Sequence, residues 1–180
     1  PTRVFSVYSG GFVFYGGLLL ALAGGLFYLR LKREPFSYWL DIFSIPLAVS
    51  YAIGRIGCFL AGCCYGKTCD LPWAVTFPNG VEAPAGIPLH PTQLYSVSLG
   101  LVVVVILLWV EKKKVFKVPG MLFYFWLLLH SIQRIFVEQF RDDWRGEDLL
   151  GLSPSSWIAL GFAVISVLLI GFNQRLYTKN

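Results

Sequence analysis

Five apolar stretches divide this chain, each near the ~20 residues that carry a helix across the hydrocarbon core of a bilayer. They lie near 11–31, 39–63, 92–110, 119–140 and 154–173. Such stretches leave few folds open, because in lipid every backbone N–H and C=O has to be satisfied within the protein. The reading is therefore all-α: a polytopic integral membrane protein of about five transmembrane helices, forming a single domain over 1–180. Charge supports it. Only 14% of the 180 residues are charged and 56% are hydrophobic, whereas soluble domains carry about 25% charge. The net charge of +5 does not point to nucleic acid, because the basic residues sit in short runs between apolar stretches, as membrane topology demands.

Those runs set an orientation. Arg30, Lys32 and Arg33 follow the first stretch, Lys112, Lys113, Lys114 and Lys117 the third, and Arg175 and Lys179 the fifth. The intervening loops at 64–91 and 141–153 mix both signs. The positive-inside bias then predicts a cytoplasmic C-terminus, with residues 1–10 on the outer side. The loop at 64–91 is the only sizeable extramembrane piece. Its WAVTF segment and PNG turn predict a short β-hairpin.

Two arginines interrupt this apolar pattern. Arg55 lies in the second stretch and Arg134 in the fourth, and an arginine at mid-membrane costs about 2.5–3.5 kcal/mol on insertion scales. Both are predicted some 9–12 Å below the outer end of helices that run in the same direction, at ~1.5 Å per residue. That placement predicts one shared site opening toward the outer leaflet. His130, Arg134, Glu138 and Arg141 share a helix face. Two readings stand. Arg134 and Glu138 form a buried ion pair, with Glu138 or Asp41 as partners for Arg55. Alternatively, the arginines clamp an anionic headgroup, because a guanidinium donates two parallel hydrogen bonds to phosphate.

Four cysteines, Cys58, Cys63, Cys64 and Cys69, fall within twelve residues. Buried small apolar residues, a Cys64–Cys69 disulfide and a reactive or ligating thiol near Arg55 are the competing readings. The C-x4-C-C-x4-C spacing is not a recognised zinc pattern.

The segment GRIGCFLAGCCYG at 54–66 resembles the signature of the prolipoprotein diacylglyceryl transferase family, G-R-[IL]-G-N-F-x-N-G-E-x-x-G, through Gly54, Arg55, Gly57, Phe59, Gly62 and Gly66. Further segments agree in order. FYGGLL at 14–19 is similar to F-H-G-G-L, LHPTQLY at 89–95 to R-H-P-S-Q-L-Y, and RIFVEQFR at 134–141 to R-x-x-[VI]-E-F-F-R. GLSPSSW at 151–157 weakly resembles a closing G-L-S-x-x-Q. The resemblance covers about 5–175. It implies a transferase of the bacterial cytoplasmic (inner) membrane that moves the diacylglyceryl group of phosphatidylglycerol to the thiol of a lipobox-containing preprotein. No cofactor and no metal are implied. By motif, Arg55 and Arg134 would act on the phosphate, with His130 and Tyr15 as further catalytic residues. Gly16, Gly17, Gly54, Gly57, Gly66, His90, Gln93, Tyr95 and Glu138 would bind substrate.

The chain also departs from the family. Tyr15 stands where the family has a histidine, and Cys58, Ala61 and Cys63 replace its Asn, Asn and Glu. His130 replaces a tyrosine, and two spans that usually precede F-H-G-G have no counterpart. A tyrosine with a pKa near 10 is a weak base at neutral pH but a good donor, so the general base is placed on His130. Two other functions compete with transfer to a lipoprotein cysteine: a non-catalytic lipid- or partner-binding subunit of a membrane complex, and a thiol-dependent transferase with another acceptor.

Overall fold

The computed structural model describes residues 12–142 and 152–179, with the side chains of 12–19, 21, 22 and 176–179 left aside. Five helices follow in order: α1 (Phe12–Lys32), α2 (Phe36–Leu60), α3 (Thr92–Lys112), α4 (Met121–Glu138) and α5 (Pro154–Lys179). The chain forms two compact units, 1–39 and 40–180. The first holds α1, which ends in Arg30 and Lys32, cations suited to the negative end of a helix dipole. Arg33 then turns the chain at φ 56°.

In the second unit α3 and α4 pack together and α5 lies along α4. A shared core of Ala48 from α2, Val103, Leu107 and Val110 from α3, and Leu122 from α4 joins three of the helices. Gly100 lets α3 approach α2 closely; a Cβ there would sit 3.4 Å from that of Ala52. The packing faces are small and polar. Ser44, Ser96, Ser131 and Ser166 are almost completely buried, one on each of α2 to α5. Each hydroxyl donates to the carbonyl four residues earlier in its own helix, so none needs a partner from elsewhere. The outward faces carry the large apolar residues, among them Leu101, Val105 and Trp109 on α3 and Phe162, Leu168 and Phe172 on α5. Small residues inside and bulky ones outside is how helices pack in lipid, where apolar surface gains little from burial.

Two expectations are corrected. Among the described residues three helices, not five, are long and apolar enough to cross a membrane: α2, α3 and α5 up to Arg175. α4 has only 18 helical residues, and its last three turns carry His130, Gln133, Arg134 and Glu138. The side chains of α1 are described only in its C-terminal half. The expected β-hairpin is also absent: among the described residues there are isolated bridges but no strand. Val75 bridges Leu89 and Phe77 bridges Ala85, yet the pairing cannot extend, because Pro72, Pro78, Pro84 and Pro88 have no N–H to donate. The loop is held instead by a small core of Phe77, Ala83 and Leu89, against which Phe59, Tyr65, Val75 and Val81 pack.

Candidate functional site

The site is built on the register between α2 and α4. Asp41, near the start of α2, accepts hydrogen bonds from the backbone N–H of Gly120 at 2.7 Å and of Phe123 at 3.1 Å. It thereby satisfies orphan donors at the start of α4 from another helix. Further along, the Tyr51 ring meets His130 edge-on with centroids 4.6 Å apart. Asp41 and Gly120 are 79 residues apart, and so are Tyr51 and His130. The two helices therefore run parallel and in step. The same offset relates Arg55 to Arg134, which places the two arginines level with one another on neighbouring helices. Both guanidinium groups act electrostatically on the His130 ring, which lies one helical turn before them in this register.

The arginines differ in their partners. Arg55 is half-buried, with its guanidinium 5.0 Å from the centroid of Tyr51, one helical turn earlier, in a cation–π contact. Among the described residues no ion pair involves it. Asp41, a sequence-level candidate for its partner, is occupied at the start of α4. Arg134 is paired. Its Nη1 lies 2.8 Å from Glu138 Oε2, with both side chains 11% exposed. Its Nη2 donates to Ser155 Oγ at 2.9 Å. Ser153 and Ser155 both donate to Glu138 Oε1, at 2.5 and 2.8 Å, and Arg141 Nε stands 3.9 Å from Oε2. The Glu138 carboxylate is thus a hub with serines on one oxygen and guanidiniums on the other. Two guanidiniums, those of Arg134 and Arg141, face this one carboxylate. The serines were missed from sequence; SPSSW at the start of α5 carried the signal. Tyr51 was missed too, although its place four residues before Arg55 puts it on the same helix face.

The LHPTQLY segment has a different role from the one expected. His90 Nδ1 and Trp73 Nε1 both meet the Tyr95 hydroxyl, at 3.0 and 2.8 Å, and Phe140 packs against the His90 and Tyr95 rings. Gln93 is buried, and its Nε2 donates to the Cys63 carbonyl at 2.7 Å. Thr92 Oγ1 donates to the Cys64 carbonyl at 2.7 Å. The start of α3 therefore clamps the loop that follows α2. Gly66 completes the clamp. Its N–H donates to His90 O, and a Cβ at that position would lie 2.6 Å from His90 O and 2.7 Å from Phe140 O. Only glycine permits three segments to meet so closely. By contrast, Gly54 and Gly57 have nothing within 4 Å of an added Cβ, so they flank Arg55 without crowding it. Tyr15, Gly16 and Gly17 fall in the first turns of α1, where the backbone alone is described.

No disulfide joins Cys64 and Cys69 in the structure. The Cys63 thiol is pushed up to about 12, first by burial and then by the neighbouring Cys64 and Cys58.

The sequence model for prolipoprotein diacylglyceryl transferase matches residues 1–172. This chain belongs to that family. Among its relatives, the phosphatidylglycerol–prolipoprotein diacylglyceryl transferase of Clostridium tetani is 35% identical over 92% of this chain and 66% of its own length. A second such transferase from Clostridium perfringens is 36% identical over 97% of the chain and 67% of its own length. The Geobacter sulfurreducens protein is 35% identical over 79% of the chain and 53% of its own length. The chain thus spans about two thirds or less of these transferases.

Proposed function

We propose that this protein is a phospholipid-dependent transferase of the bacterial inner membrane. In this reading it takes the diacylglyceryl group from phosphatidylglycerol and passes it to the cysteine thiol of a lipobox-containing preprotein. The observation that carries the reading is the level placement of Arg55 and Arg134 on two parallel helices, with Arg55 free of any carboxylate among the described residues. Arg134 is already held by Glu138 and Ser155, so its position is fixed before substrate arrives. Arg55 supplies the uncompensated charge.

In the reaction the acceptor sulfur attacks the glyceryl carbon that bears the phosphate ester. A carbon–sulfur bond forms, the carbon–oxygen bond breaks, and glycerol phosphate leaves with the electron pair. The two guanidiniums stabilise the charge that gathers on the departing phosphate. Such preorganised electrostatic stabilisation is commonly the largest contribution to rate. The thiol proton passes to His130, one helical turn from the two arginines, where Tyr51 and Trp126 fix its ring. In this reading the C-terminus is cytoplasmic, in keeping with the positive-inside bias of the basic runs after α1, α3 and α5.

The test is transfer from phosphatidylglycerol to a synthetic lipobox peptide in detergent, together with rescue of a strain depleted of its own transferase. Wild-type protein transfers. Arg55→Gln and Arg134→Gln each lose at least a hundredfold in rate, and His130→Ala loses at least tenfold while still inserting into the membrane. Normal rates in the arginine variants overturn the assignment. Saturable phosphatidylglycerol binding without turnover would instead show a lipid-binding protein.

A further inference from the structure

The geometry points to a three-thiolate binding site for a soft metal ion at the end of α2, formed by Cys58, Cys63 and Cys64. Their three sulfurs lie within 4.8 Å of one another. A tetrahedral zinc ion with Zn–S bonds near 2.3 Å holds its sulfurs about 3.8 Å apart, so modest side-chain rotations bring the three onto one ion. Thiolate ligands select zinc and copper(I) over harder cations.

Local chain geometry explains why the sulfurs converge. α2 ends in a Schellman turn: Cys63 N–H donates to Cys58 O at 3.1 Å, Gly62 N–H donates to Phe59 O at 3.1 Å, and Gly62 takes φ 62°. This turn sets the residue after the left-handed glycine against the last turn of the helix, a contact that apolar side chains usually fill. Here both positions are cysteine, and Cys63 Sγ also lies 3.6 Å from Cys58 O. Cys64 follows with its own left-handed φ of 61°, which turns the chain again and returns its sulfur to the pair.

The scaffold behind the thiols is fixed at every residue. The carbonyl of Gly62 accepts from Ala83 N–H, that of Cys63 from Gln93 and that of Cys64 from Thr92. Gly62 is also locked sterically, since a Cβ there would lie 2.6 Å from Val81. Ligands whose backbone is already held lose little freedom on binding, and support of this kind defines a built metal site. All three cysteines remain partly exposed, so an ion can enter. Three protein ligands leave a fourth position open, the arrangement of zinc sites that bind an external group.

The experiment uses the purified, reduced full chain in detergent, with Zn2+ and, separately, Cu+ supplied against a chromophoric chelator. One equivalent per chain is expected to bind with at least tenfold preference over the chelator. Cys58→Ser and Cys64→Ser each weaken it at least tenfold, and Cys69→Ser leaves it unchanged. A second readout needs no variant: with metal bound, maleimide labelling of Cys58 and Cys64 falls at least fivefold by mass spectrometry, while labelling of Cys69 is unaltered. No binding of either ion by the wild-type chain, binding that survives loss of Cys58 and Cys64 together, or unprotected labelling of Cys58 and Cys64 overturns the site.

Discussion

Tyr51 links the two halves of the candidate site: its edge meets the His130 ring at a centroid separation of 4.6 Å, and Arg55 lies 5.0 Å from its centre. A cation over an aromatic face is worth about 0.5–2 kcal/mol depending on desolvation. Tyr51→Leu is therefore expected to raise the phosphatidylglycerol concentration for half-maximal rate by about two- to thirtyfold, 1.4 kcal/mol being tenfold. Tyr51→Phe keeps the ring and changes it little. Kinetics over a range of lipid mole fractions separate the two.

Glu138 holds Arg134 through a contact that is nearly out of solvent. Removing one partner of a buried pair strands the other charge. Glu138→Ala should lower stability by about 3 kcal/mol, near the low end for such losses. Ser153→Ala removes one hydrogen bond to a charged group and should cost about 1.5 kcal/mol, whereas Ser155→Ala loses bonds to both Glu138 and Arg134 and should cost about 2 kcal/mol. Thermal unfolding in detergent, followed by tryptophan fluorescence, gives the order. A serine variant that matches the glutamate variant would contradict the hub arrangement.

Glycines with the same signature have opposite structural tolerance. Gly66→Ala meets two backbone carbonyls at 2.6 and 2.7 Å, which cannot move without separating α3 from the end of α4. It should fail to yield folded protein in size-exclusion chromatography. Gly54→Ala and Gly57→Ala meet nothing within 4 Å and gain about 0.8–1 kcal/mol of helix propensity each. They should melt no lower than wild type. A loss of transfer in either would then report on lipid beside Arg55, not on folding.

The Cys63 thiol, pushed up to about 12 by burial and by Cys64 and Cys58, has a clear pH signature. The thiolate is the nucleophile, and at pH 8 only about one molecule in ten thousand carries it, from the four-unit gap between pH and pKa. In metal-free protein Cys63 should alkylate very slowly at pH 8, with a rate that climbs about tenfold per pH unit up to pH 11. Site-resolved mass spectrometry against a timed iodoacetamide quench measures it. A plateau near pH 9 would mean an ordinary thiol.

Much of this arrangement could be read in the chain beforehand, and what could not has physical causes. The two arginines, their common level and the Arg134–Glu138 pair follow from helical spacing, because a helix fixes which residues share a face. The number of spans did not follow. α4 has enough apolar residues for the eye, yet His130, Gln133, Arg134 and Glu138 all fall in its second half. The hairpin at 73–89 failed for a similar reason: WAVTF has the composition of a strand, but the prolines around it leave no ladder to join. The role of Gln93 was invisible, since its partner is a carbonyl 30 residues away. The thiol cluster was hidden differently. Its spacing matches no ligand pattern, because the convergence comes from two left-handed residues and not from a repeat.

Asp41 sits 14 residues ahead of Arg55, about 21 Å along α2 at 1.5 Å per residue, and yet it is the contact that seats the start of α4. The helices between are stiff rods, so a slip of one residue at that distant end would turn Arg134 by about 100° and carry it off the level of Arg55. The alignment of the two cations is thus gauged from the opposite end of the bundle. Whatever the two arginines hold, their spacing is set by a carboxylate that neither of them touches.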